Sequence, residues 1–170
     1  MDAVAQLRQD FKSAQNFLEG TIQGVSDEQA RWKPPGAAHT IAVNYAHVAF
    51  SEDGIVNGLV RKGAPLFASR FAGKTGASEP PPPGPAWGDW SQSVQVELTA
   101  LREYANAVFA ETDAWLATAR PEELAATVDM GPAGQWSVGT LLGVMVGNRW
   151  MHTGEISCLK GLQGAQGYPM

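Results

Sequence analysis

Four stretches of this chain place apolar residues at alternating steps of three and four, the spacing that turns one face of an α-helix toward a core. In the first, Val4, Leu7, Phe11, Ala14 and Leu18 recur at that period, and Gly20 supplies a stop. The second opens at Thr40, a good N-cap, and runs through about Val60 to an end near Lys62-Gly63; Ile41, Val43, Tyr45, Val48, Ile55 and Leu59 are among its apolar positions. The third starts with Asp89 and Gln92 at capping-box spacing and carries Val94, Leu98, Leu101, Ala105, Val108 and Trp115 on one stripe. Ser137 caps the last, whose stripe is Leu141, Met145, Asn148, His152, Ile156 and Leu159, with Gly161 as its end. Four long amphipathic helices without a sustained strand pattern predict an all-α fold, a four-helix bundle.

The connections are of two kinds. Ser26-Asp27-Glu28-Gln29 is a capping-box pattern that opens a short turn before Lys33-Pro34-Pro35-Gly36, and Pro121-Glu122-Glu123 opens another. Ala125 to Val128 reads as briefly extended, Gly131 to Gly134 as a loop, and 162–170 as a Gly-rich, loop-like tail. Residues 63–87 differ, because Glu79-Pro80-Pro81-Pro82-Pro83-Gly84-Pro85 favours extended polyproline conformation over helix. So long a connection between the second and third long helices predicts a crossover from one end of the bundle to the other. Residues 1–170 read as one domain.

Bulk properties exclude several roles. Hydrophobic residues at 44% and charged residues at 17% are those of a soluble globular protein, and a formal charge of −5 leaves no basic footprint for nucleic acid or anionic membrane. No stretch reaches the roughly 18 continuous apolar residues of a membrane span. The opening MDAVAQLRQDFKSAQ carries acids and no apolar core, so no secretory signal is expected and a cytoplasmic location is. Cys158 stands alone, which rules out an internal disulfide and a thiolate cage and leaves it as a small packing residue.

The chemistry-bearing residues lie where apolar ones are expected. Asn148 and His152 interrupt the stripe of the last helix at a four-residue step, one above the other, and His47 shares the stripe of Val43 and Phe50. A buried imidazole costs free energy unless its lone pair is used, and zinc, nickel or iron would use it. Asn148 is the weaker donor, with a neutral, hard carbonyl oxygen. Hydrogen-bonded core or surface histidines are the alternative. Glu155, three residues past His152, reads as a ligand, a base, a partner of His152 or a solvated carboxylate. His39, eight residues before His47, reads as a solvated helix-start residue; Glu52 and Asp53 read as outer-face charge. Gly73-Lys74-Thr75 lacks the preceding glycine and strand–helix setting of a phosphate loop. Trp32, Trp136 and Trp150 read as core or loop-packing aromatics.

Three runs carry a family resemblance: Arg31-Trp32-Lys33-Pro34-Pro35-Gly36, the segment Asn44 to Asp53 around His47, and the segment Asn148 to Ile156. Together with the ending Lys160 to Pro169, they resemble the DinB-like (DinB/YfiT-type) superfamily, four-helix bundles regarded as metalloenzymes. The resemblance implies a long crossover and a metal held by three histidines from the second and last helices. It also implies a homodimer, and chemistry of the kind seen in relatives that are transferases or isomerases using low-molecular-weight thiols. His47 and His152 match ligand positions. Asn148 stands where the family has a histidine, and Glu155 stands where it has a glutamine.

Two functional expectations follow. In one, a divalent ion at His47, His152 and Asn148, with Glu155 nearby, serves a metal-dependent hydrolase or thiol-dependent transferase. In the other, the bundle is a metal-free small-molecule-binding or stress-associated protein in which Asn148 marks a degenerate metal site.

Overall fold

The computed structural model describes residues 2–82 and 87–169. Four long helices form the frame: α1 (Ala3–Ile22), α3 (Ile41–Glu52, continued as a π-helix over Asp53–Val60), α5 (Leu98–Leu116) and α7 (Val138–Leu162). Short helices α2 (Asp27–Arg31), α4 (Trp87–Ser93) and α6 (Pro121–Ala125) lie in the connections. The local signals for helix starts act as expected: Thr40 Oγ1 accepts the Val43 amide, Ser137 Oγ accepts the Thr140 amide, and Ser26 and Gln29 close a reciprocal capping box.

Long-range hydrogen bonds fix the directions. Arg8 meets Asp113 and Glu19 meets Arg102, so α1 and α5 are antiparallel. Phe11 meets Arg149 and Thr21 meets Lys160, so α1 and α7 are parallel. Asp53 meets Tyr104 and Arg61 meets Glu111, so α3 and α5 run the same way. Parallel neighbours need the crossover that the sequence predicts, and it returns along α5, where Ala77 bridges Val96 and Glu97 N donates to Gly76 O. Gly76 has φ +80, and a Cβ there would collide with the backbone of Leu101 and Glu97, so only glycine lets the strap lie this close. Pro83 to Ala86, at the end of the proline-rich stretch, fall outside the described residues.

Several expectations are corrected. Gly20 does not stop α1, which continues to Ile22 and turns at Gln23-Gly24. Its missing side chain makes room for Pro169, whose Cγ lies 2.9 Å from where a Cβ would sit. Asp89 and Gln92 lie inside the short α4 rather than at the start of α5, which Glu97 caps by accepting the Thr99 and Ala100 amides. The expected extension over Ala125 to Val128 holds only in part, since Ala125 ends α6 and the strand runs over 127–129, where it pairs with an unexpected second strand to make an antiparallel hairpin: β1 (Thr127–Asp129) and β2 (Gln135–Ser137). Leu59, on the expected stripe, is exposed because the π-helical turns shift it off the buried face.

The largest correction concerns Glu52 and Asp53, both fully buried at 1% and 0% exposure. Glu52 receives a two-pronged ion pair from Arg149, Nε to Oε2 at 2.8 Å and a terminal nitrogen to Oε1 at 2.6 Å, and Thr112 donates to Oε1 at 2.7 Å. The Arg149 guanidinium stacks over Phe109 at 4.0 Å and Phe11 at 4.9 Å and donates to Phe11 O, so each of its three nitrogens has a partner. Asp53 accepts from Asn57, Tyr104 and the amides of Leu66 and Phe67, pinning the start of the crossover. Burial and the Asp53 carboxylate push the Tyr104 hydroxyl far above its ordinary value, so it stays a donor.

Removing one partner of a buried ion pair strands the other. Glu52→Gln should therefore lower unfolding free energy by about 3–5 kcal/mol. Urea titration measures it, and the Glu52→Leu/Arg149→Met double variant should recover a large part of the loss.

Candidate functional site

The Arg149–Glu52 pair sets the site because it locks α7 against α3. His47 lies five residues before Glu52, and His152 lies three after Arg149. The antiparallel helices therefore bring the two imidazoles together, with ring centroids 4.6 Å apart. Trp87, the first residue of α4, closes on His47 edge-on at 4.4 Å. Of the residues singled out from the sequence, the structure brings His47 and His152 into contact. It places Glu155 on His152 and buries Asn148 one turn before His152, at 6% exposure.

Glu155 Oε2 lies 2.6 Å from His152 Nδ1. The i,i+3 step on one helix makes this contact local, and a carboxylate oxygen accepts, so Nδ1 donates and Nε2 keeps its lone pair. A carboxylate in this position fixes the tautomer and orients the ring. His47 differs: burial, with repulsion from His152 and then His39, pushes its imidazole down to about 4. It is neutral at physiological pH, with one N–H and one lone pair.

The donor set is thin for the metal that the resemblance implies. Among the described residues no group of three or more His, Cys, Asp and Glu is placed to hold an ion. Two imidazoles and one neutral amide fall one strong donor short of the three protein ligands of a catalytic zinc centre. The Glu155 carboxylate is engaged with Nδ1 of His152.

One helical turn from His47 and His152, which do not themselves line it, lies a largely apolar cleft of about 270 Å³ between the Pro34–His39 loop, the start of α3 and the C-terminal half of α7. Asn44 and Glu155 line it, each three residues along its helix from His47 or His152. His39 corrects its sequence reading: it is half-buried, with its Nδ1 enclosed and without a hydrogen-bond partner. Cys158 is exposed at the cleft instead of packed inside. Trp150 is also largely exposed, at 42%, and rests on Phe17. Sequence reasoning missed Arg149 and Trp87. Arg149 had one available signal, a long cation beside Asn148 on the inner stripe, complementary to an acid near His47.

A family model described as the DinB superfamily matches residues 10–156. The crystal structure of a conserved protein from Enterococcus faecalis superposes with a TM-score of 0.80 at 19% identity, over 94% of this chain and 96% of that one. No curated protein matches the chain. No described helix is long and apolar enough to cross a membrane.

The unfolded chain takes up a proton near the ordinary histidine value of 6.5, while folded His47 resists it down to about 4. Stability should therefore fall as pH drops through that window, His47 contributing about 1–3 kcal/mol of the loss. Urea titrations of chelator-treated protein at pH 7, 5.5 and 4.5 measure this, and His47→Phe should show a flatter profile. Parallel profiles would refute it.

Proposed function

The chain belongs to the DinB superfamily, and from that premise we propose that it transforms a small molecule at His47 and His152 by imidazole acid–base chemistry, as a hydrolase or thiol-dependent transferase. The observation that carries the reading is the Glu155–His152 contact at 2.6 Å, which leaves Nε2 as an oriented base beside a second, neutral imidazole. In this reading, His152 Nε2 takes the proton of a bound water or low-molecular-weight thiol as its oxygen or sulfur attacks an electrophilic carbon. His152 then returns the proton to the departing group. His47 offers its N–H to the oxygen on which charge develops, and its neutrality keeps that role compatible with a protonated His152 nearby.

A second reading places a divalent ion, zinc, nickel or iron, on His47, His152 and Asn148. The two imidazole lone pairs favour it; the weak third donor counts against it. Elemental analysis of protein purified without chelator separates the two. Under the first reading, metal is well below one equivalent per chain, and Asn148→His raises uptake sharply by restoring a third imidazole.

A screen of activated esters and of thiol addition to electrophiles tests the chemistry. On whichever substrate turns over, His152→Ala should lower kcat by about 10²–10⁴-fold. Glu155→Gln, which loosens the hold on the ring, should cost about 10–100-fold. Turnover insensitive to His152→Ala would sink the proposal.

A further inference from the structure

The apolar cleft between the Pro34–His39 loop and α7 has features that the acid–base reading does not use. Its walls are Pro34, Pro35, Ala38, Leu159 and Leu162, and its volume of about 270 Å³ exceeds the roughly 150 Å³ at which an apolar cavity admits benzene. Two polar side chains, His39 and Asn44, are part of its lining. His39 Nδ1 is enclosed and makes no hydrogen bond. Asn44 is buried at 3% exposure, and no hydrogen bond to its side chain is found among the described residues. Polar side chains at an apolar cleft favour a ligand that hydrogen-bonds them over a purely apolar one, since burying them unpaired is costly. Glu155 stands at the side nearest the histidines, where its carboxylate disfavours an anion, and its pairing with His152 leaves little to hold a cation.

We propose that this cleft is the substrate pocket and that it takes an uncharged aromatic or branched-aliphatic carbonyl compound, an ester or amide, with the carbonyl hydrogen-bonded by His39 and Asn44. As a substrate pocket it rests on the reading of His47 and His152 as the reacting centre; as a binding site it stands separately. The positions agree with such a ligand. Asn44 and Glu155 lie in the cleft, and one helical step along each helix lead to His47 and His152. A ligand with its apolar body among the prolines and leucines therefore has its functional group directed toward the two imidazoles. His39 acts here as an anchor that selects the carbonyl, a specificity-determining role.

The chain carries its own reporter, since Cys158 is its sole cysteine and lies exposed at this cleft. The rate at which N-ethylmaleimide modifies Cys158, followed by intact mass, reads occupancy in the full-length protein. N,N-dimethylbenzamide, an unreactive uncharged carbonyl compound, should slow modification saturably, reaching about fivefold at a concentration four times its Kd. Benzoate should slow it little, and ethylbenzene should bind more weakly than the amide. His39→Leu, which keeps apolar bulk in a loop, should erase the preference for amide over ethylbenzene, and Asn44→Ala should reduce it, with thermal melts confirming that both variants fold. No saturable slowing by the amide, equal slowing by benzoate, or an undiminished preference in both variants would each overturn the proposal. Slowing retained in His152→Ala alongside absent turnover in the parent would reject the acid–base reading and keep the pocket. Turnover without slowing would reject the pocket alone.

Discussion

The Glu52–Arg149 pair joins α3 to α7 through two short charge-assisted bonds, with both side chains 1% exposed. Burying two ions is expensive unless good geometry and further hydrogen bonds offset it, and here Thr112 and Phe11 O add to the pair's own bonds. The stacking of Arg149 between Phe109 and Phe11 adds a second constraint, since these rings belong to two separate apolar clusters of the core. The guanidinium thus sits at the joint between the two halves of the interior. It fixes the rotation of α7 about its axis as well as its distance from α3. A hydrophobic contact is non-directional and would leave that rotation less determined.

That rotation decides which residues meet. With Arg149 turned inward, Asn148 is buried and His152 reaches His47, while Glu155 comes to the edge where it can hold His152 and still line the cleft. Asp53, the neighbour of Glu52, pins the crossover by accepting the amides of Leu66 and Phe67. Two consecutive acids facing inward do not suit a regular α-helix. The chain changes to π-helical bonding at Asp53, a wider turn of the sort often found near functional groups. Site and crossover therefore share one structural cause.

Much of the frame was legible because helix formation is local. Thr40, Ser137, Ser26 and Gln29 act within three residues of themselves, so their capping bonds follow from sequence spacing. Asp89 and Gln92 show how the same signal misleads: the spacing is right, but the helix it marks is the short α4, and the break before Leu98 comes from the pairing of Ala77 with Val96. Charge was the other source of error. Glu52 and Asp53 read as surface residues because an acid is rarely buried without a partner, and the partner of Glu52 lies 97 residues away. Cys158 and Gly20 were misplaced for a related reason, since packing against a remote segment or none at all leaves no local trace.

The sequence by itself determined the four helical stripes, the polar interruption by Asn148 and His152, and the i,i+3 step that lets Glu155 reach His152. Each follows from a period of 3.6 residues per turn and needs no knowledge of neighbours. The family resemblance already joins His47 to His152, but tertiary structure alone decided that their rings lie 4.6 Å apart, that His39 Nδ1 is enclosed, and that an apolar cleft opens one helical turn away. Those outcomes depend on how α3 and α7 are turned against each other, and a buried ion pair between distant residues sets that angle.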